Sequence, residues 1–407
     1  MAIAFLEIGG GLQGVLVPIR AQLEGFSTQA IGLLGAAYYL GFVLGCLYVP
    51  ALMHRVGHIR AFSGLAALAA TVFLVHELTQ AVPVWLGLRL IAGVCFAGLY
   101  MAVESWLNGR ATTATRGRVL AAYLVIGYLA IIAGKLVFAW TDPADFLPFA
   151  LVSIGVCLAV LPVAFTTGTA PDLVARSRLR VRELYETSPV GLVGCLAVGA
   201  ANGAFWSMGP IYADLRGLST MGIGLFISAA VLGGAVAQWP VGKWSDQTDR
   251  RKVLVAACVA SAVASTALVL SPGADTPTIL ALAFLFGAGS LPLYGLCIAH
   301  ANDHAPEESF VEVSSNLLLM FGLGAVAGPY LAALLMTAAG PGGIFLFIAG
   351  AHLLLAGFAI LRIGRRRPVD ESEKTAFVAA PKTTQAVLPL DPRAEPGAED
   401  EPPSETG

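Results

Sequence analysis

Four ionisable residues stand inside long apolar stretches of this sequence: Glu7, Arg89, Glu104 and Lys135. A charge at membrane depth is expensive, so each must be paired, line a wet cavity or reach an interface. At 100° per residue, Arg89, Gly93, Tyr100 and Glu104 fall within about 60° of one another on a helix. Such a stripe is expected to face a cavity. The alternative is that Arg89 snorkels to one interface and Glu104 to the other, where Glu104 would pair with Arg116 or Arg118. Glu7 shares a face with Gly11, Gly14 and Pro18, small residues that allow close helix approach, while Gln13 and Arg20 lie on another side. The expected depths of Glu7 and Arg89 differ by about one helical turn, about 5 Å, within reach of an arginine. A carboxylate released from such a pair tends to take up a proton, which would make Glu7 a proton carrier; a structural hydrogen bond is the other reading. Lys135 is read as a snorkelling cation or as a substrate or gate charge.

Later in the chain, Asn202, Trp206, Gln238, Tyr294 and Asn316 are polar or amphipathic wall candidates, suited to an amphipathic organic solute. Each is also explained by packing or by interfacial anchoring. No nucleophile–base pair, metal cluster or cofactor loop is visible, so no enzyme, metal or cofactor is expected. The six cysteines all lie in apolar runs without metal-type spacing and read as small buried residues. With a net charge of −2 and no basic patch carrying aromatics, nucleic acid is not an expected partner.

The elements that must position these residues are apolar runs of bilayer length. The 407-residue chain is 57% hydrophobic and only 12% charged, about half the charge of a soluble domain. Continuous runs of roughly 20 apolar residues argue for helices and against a barrel. Twelve spans are read, near residues 1–20, 29–53, 60–76, 82–108, 118–140, 146–167, 189–212, 220–244, 252–271, 276–301, 311–337 and 343–363. In the first, Met1 to Val17 gives only about 25 Å, which leaves room for a start upstream of Met1. Ser27-Thr28 and Ser219-Thr220 cap spans two and eight. Residues 1–167 form one six-helix bundle and 189–367 a second, joined by a polar cytoplasmic linker at 168–188. The tail from 368 to 407, rich in Pro, Glu, Ala and Thr, is expected to be disordered and dispensable.

Arginines collect on one face: Arg55 and Arg60; Arg110, Arg116 and Arg118; Arg176 to Arg182; Arg250 and Arg251; and Arg362 to Arg367. The other face carries Arg20 and Arg216 among Glu77, Asp142, Asp145, Asp214 and Asp275. Arginine bias marks the cytoplasmic side, which puts both termini inside. The halves are also related in sequence. A shift of 192 lays Pro18-Ile19, Gly25, Ser27-Thr28 and Ile31-Gly32 on Pro210-Ile211, Gly217, Ser219-Thr220 and Ile223-Gly224. A shift of 194 lays Gly93, Leu99-Tyr100, Asn108 and Gly134 on Gly287, Leu293-Tyr294, Asn302 and Gly328. Two parallel six-helix repeats are a transporter layout, with the solute site between them near the midplane.

The loop Gly242-Lys243-Trp244-Ser245-Asp246, followed by Arg250-Arg251, resembles the signature loop of the major facilitator superfamily. The resemblance implies a cytoplasmic gate in which Asp246 meets a neighbouring helix end and Arg250 or Arg251 holds the inward-closed state. The first-half counterpart keeps Arg55, Gly57 and Arg60 but has His54 where the aspartate stands. Leu86 to Gly93 is similar to the family's second motif, whose arginine is associated with proton coupling. Gly328-Pro329 is present in span eleven, but Lys135 replaces that proline in span five, so the antiporter motif is incomplete. Ala102 to Ser105, Arg116 to Tyr123, and Gly234 to Lys243 resemble the YcaD-like branch of bacterial transporters. The resemblance implies a monomeric secondary transporter of the bacterial inner membrane, moving a small organic solute with protons by alternating access, and it favours export. A passive facilitator or importer, or a transport-inactive receptor or scaffold on the same fold, is the alternative.

Overall fold

A computed structural model of the chain describes residues 1–165, 180–306, 309–365, 369 and 374–394. The first half comprises α1 (Ala2–Leu23), α2 (Thr28–Val56), α3 (His58–His76), α4 (Val82–Asn108), α5 (Arg116–Ala139) and α6 (Leu147–Ala164). A short α7 (Val181–Thr187) precedes the second half: α8 (Pro189–Leu215), α9 (Thr220–Gln247), α10 (Arg250–Leu270), α11 (Thr276–Ser290), α12 (Leu293–Asn302), α13 (Phe310–Ala339) and α14 (Gly343–Ile363). Among the described residues, twelve spans are long and apolar enough to cross a bilayer, counting α11 and α12 as one. Their outward faces show bare Leu129, Val263, Leu354 and Leu361, which only lipid would cover. The protein is an all-helical, multi-pass membrane protein. α1 runs to Leu23 rather than stopping near residue 20, so its 22 residues are of full bilayer length.

The repeat is visible as shared chemistry. Ser27 and Ser219 cap their helices by accepting from the Ala30 and Gly222 amides. Gly25 and Gly217, just before them, take φ of +77° and +76°, a left-handed turn that glycine adopts without strain. The crossing of α2 on α4 needs Gly93, where an added Cβ would overlap the Tyr38 carbonyl. The crossing of α9 on α11 needs its counterpart Gly287, against the Ala230 carbonyl. The repeat breaks at one place. α4 is continuous through Gly98, whereas its partner span is interrupted at Leu291-Pro292 between α11 and α12. A proline has no N–H to donate, so the ladder opens there.

The two halves meet closely at the end opposite the arginines. Gly32 lies against Pro329 and Ala333, Gly35 against Ser207, and Gly224 against the Lys135 backbone. Gln22 donates to Asp214 at 2.6 Å across the same seam. At the arginine-rich end the gap between the halves is filled by residues 374–394, which include a 3-10 helix, Gln385–Leu390. Val387, Leu388 and Leu390 are buried where this helix packs on α4, α5 and α13. The expectation of a disordered tail is therefore corrected for residues 374–394. Its overall Pro and Glu content conceals an apolar stretch, Phe377 to Leu390, that packs. The expected linker is partly helical, as α7; Arg176 and Arg178 lie outside the described residues.

Candidate functional site

Between the halves lies a cavity of about 300 Å³. α1, α2, α4 and α5 supply one wall and α8, α9 and α13 the other. Of the residues singled out from sequence, Glu7, Gln13, Arg89, Tyr100, Lys135 and Trp206 line it. Arg89 is buried and donates to Gln13 Oε1 at 2.6 Å, with its guanidinium 4.4 Å from the centroid of the Tyr38 ring. Neither Arg89 nor Lys135 snorkels: Lys135 is 3% exposed, and its Nζ sits 5.6 Å from the centroid of the Trp206 ring of the other half.

The expected Glu7–Arg89 pair is not formed. Glu7 instead accepts from the Tyr100 hydroxyl at 3.1 Å. The reason is rotation about the α1 axis. Glu7, Gly10 and Gly14 share a face, and Gly14 opens directly onto Lys135 Nζ, whereas Gln13 points around the helix to Arg89. Glu7 lies beside Gly10 and Lys135 beside Gly14, along one face of α1. Gly11 does form the expected seam, against Ile131 and Gly134 of α5.

Glu104 is fully buried. It accepts from Tyr123 at 2.6 Å and from the hydroxyls of Thr383 and Thr384. Asn202 accepts from Lys382 Nζ at 3.1 Å, and the Tyr294 ring lies under the same ammonium. Of the second-half wall candidates, Asn202, Tyr294, Asn316 and Gln238 are not among the residues lining the cavity. Asn316 points to the linker, accepting from the Arg180 amide at 3.3 Å. Gln238 is half-buried on α9, with its Oε1 unpartnered among the described residues, and does not line the cavity. Sequence reasoning missed Tyr38, Tyr39, Tyr123, residues 380–383 and Gln385, all of which line the cavity. The signal for the tyrosines was their presence in mid-span.

At the arginine-rich end, Asp246 accepts from Arg250 at 2.9 Å and from the Phe377 amide at 2.9 Å. Arg250 also donates to Asp303 at 2.6 Å and to the Thr375 carbonyl. Arg251 pairs with Asp249 at 2.7 Å and donates to the Arg362 carbonyl at 3.0 Å. Burial works to raise the Asp249 carboxyl, but the Arg251 hydrogen bonds outweigh it and hold it below its ordinary value. The loop thus fastens α9 and α10 to α12, α14 and the tail, all in the second half. Gly242 is required because Phe377 occupies the space a Cβ would take. Asp246 does meet a neighbouring helix end, at Arg250, while the first-half residues Arg55 and Gly57 take no part, with Arg55 exposed and Gly57 capping α2 at φ +86°.

A model of the Major Facilitator Superfamily matches residues 1–315 and 191–394. An uncharacterised MFS-type transporter of Yersinia enterocolitica is 27% identical over 370 residues, covering 89% of this chain and 93% of that protein. The uncharacterised MFS-type transporter YcaD of Escherichia fergusonii is 27% identical over 357 residues, covering 86% and 91%. Among solved structures, the nucleoside transporter NupG superposes with a TM-score of 0.72 at 11% identity, covering 88% of this chain and 96% of that one. A bacterial homologue of the human lysosomal transporter Spinster gives 0.65 at 12% identity, covering 96% and 95%.

Proposed function

Since the chain belongs to the Major Facilitator Superfamily, we propose that it carries a small organic solute by alternating access, coupled to protons, through the cavity between its halves. The observation that supports this most is the cavity itself, which holds Glu7, Arg89 and Lys135 at membrane depth. Buried ionisable groups are costly, and here they converge on a space large enough for a solute. The coupling site is the cluster of Glu7, Tyr100 and Lys135. Glu7 is the proton carrier, and its ionised form is favoured by Lys135 and disfavoured when a cationic solute or a rearrangement draws Lys135 away. Arg89, fixed by Gln13 and Tyr38, orients the solute.

The arginine-rich end is cytoplasmic, in a bacterial inner membrane like that of the bacterial relatives. The conformation described is closed at the outer end, along α2–α13 and α5–α9, and its inner mouth is filled by the tail. Two six-helix units, 1–167 and 189–367, rock about the midplane site. Flux into proteoliposomes, with and without an imposed pH gradient, tests the proposal. Accumulation driven by the gradient is expected, and its absence with every solute tried would leave a scaffold or receptor as the reading.

A further inference from the structure

The segment 374–394 does not merely lie in the inner mouth; it makes polar contacts that run the depth of it. Lys374 Nζ donates to the Thr248 carbonyl at 2.8 Å. The Thr375 amide and hydroxyl donate to Asp303 at 3.2 and 3.1 Å. Phe377 sits on Gly242 and Gly295, and its amide donates to Asp246. Thr383 and Thr384 donate to Glu104 of the first half. The segment ends with Arg393 held by Asp391 at 2.6 Å, its guanidinium 5.1 Å from the centroid of the Phe310 ring at the start of α13. It therefore touches both halves and must leave before they can close over it.

At its deepest point is an ammonium. Lys382 Nζ donates to Asn202 Oδ1 at 3.1 Å and to the Leu291 carbonyl at 3.3 Å. The rings of Tyr294 and Phe321 lie 5.8 and 5.7 Å from it, centroid to nitrogen, distances at which ring faces attract a cation. The Leu291 carbonyl is at this position because the span is broken at Pro292, and the first half, with Gly98 there, has no such break. Irregular backbone at membrane depth is tolerated where it lines a cavity, and broken spans turn their carbonyls on cations. Asn202 is 2% exposed and Tyr294 fully buried, and the Tyr294 hydroxyl has no hydrogen-bond partner among the described residues. Nor is Lys382 within ion-pair distance of any carboxylate among the described residues. Dipoles and ring faces hold it without a fixed counter-charge, so the ammonium remains exchangeable.

We propose that Asn202, the Leu291 carbonyl, Tyr294 and Phe321 form a seat for the ammonium of an organic primary amine, that such amines are the solutes carried, and that Lys382 occupies the seat as a tethered competitor. The substrate part rests on the transport reading above; the seat does not. Lys382 presents four methylenes and an ammonium, so n-butylammonium is its free equivalent. Removing the Lys382 side chain vacates the seat while the rest of the segment keeps its own contacts.

The test is titration calorimetry on the full chain in detergent, with n-butylammonium as the probe and 1-butanol as its neutral control. Lys382→Ala is expected to bind n-butylammonium at least about tenfold more tightly than wild type, with no gain for 1-butanol. Adding Asn202→Asp to that variant places a counter-charge on the seat and is expected to tighten the probe again. Equal affinity in wild type and Lys382→Ala, or an equal gain for 1-butanol, would overturn the seat. Should Lys382→Ala fold poorly, Asn202→Asp alone decides the matter. It should hold Lys382 more firmly and weaken n-butylammonium binding relative to wild type, and a gain instead would overturn the proposal. In proteoliposomes, Lys382→Ala is expected to exchange labelled n-butylammonium about tenfold faster than wild type. Tight binding without exchange refutes transport of amines and leaves the seat standing. Exchange of other solutes, insensitive to both n-butylammonium and Lys382→Ala, refutes the seat and leaves transport standing.

Discussion

A lone carboxylate at membrane depth persists only where neighbours supply hydrogen bonds or opposite charge; Glu7 accepts from Tyr100, and Lys135 stands further along the same face of α1. Glu7→Gln keeps the Tyr100 bond but cannot exchange a proton. It is expected to abolish gradient-driven accumulation while downhill exchange persists, read as flux in paired proteoliposome assays; accumulation at the wild-type level would move the proton elsewhere. Glu104 differs, because its donors come from Tyr123 and the tail. Tyr123→Phe removes one of them from a buried acceptor and should cost about 1–3 kcal/mol, seen as a lower melting temperature in detergent. The sequence marks Glu7, Arg89, Glu104 and Lys135 as ionisable groups in apolar runs but leaves snorkelling open for the last three, which the structure shows buried. It did not reveal their partners. Depth along a span follows from counting residues, but the choice between Glu7 and Gln13 for Arg89 depends on how α1 is rotated against α4, which no one-dimensional pattern records.

Helices come through the reading nearly whole, since bilayer length and apolarity are written in composition. The glycine pairs were also legible as repeat mates, but their purpose emerges only in the crossings. Gly93→Ala and Gly287→Ala each drive a methyl into an opposing backbone carbonyl. Each is expected to cost about 1–3 kcal/mol or more and to reduce the yield of folded protein by size-exclusion chromatography. Gly87→Ala, which meets open space, should change stability by less than about 0.5 kcal/mol. Such a spread between two members of a repeat and a neighbour in the same helix would not arise from helix propensity, which favours alanine at all three. The break at Pro292 escaped notice because the run from 276 to 301 is apolar on both sides of it. A single proline in a span is as compatible with a kink as with an opened turn.

Across the whole molecule, the arginine bias predicts an orientation that reporter fusions in the 168–188 connection and after residue 394 can check, with a cytoplasmic signal expected from both. The tail was misread because composition was averaged over 40 residues, and its Pro and Glu content masked a buried core of Val387, Leu388 and Leu390. Hydrogen exchange should find residues 374–394 protected in the wild type. Leu388→Asp with Leu390→Asp should remove that protection without affecting the spans, since burying a charge in that packing is unfavourable. Because the plug is part of the same polypeptide, its local concentration never falls by dilution. A ligand tethered by a short linker is present at an effective concentration on the order of a millimolar. To share the cavity equally, a free solute must exceed its own intrinsic constant by the ratio of that effective concentration to the segment's intrinsic constant. Occupancy would then stay low at trace solute levels and rise only once the cytoplasm is loaded, giving the protein a set point determined by the sequence of its own C-terminal segment.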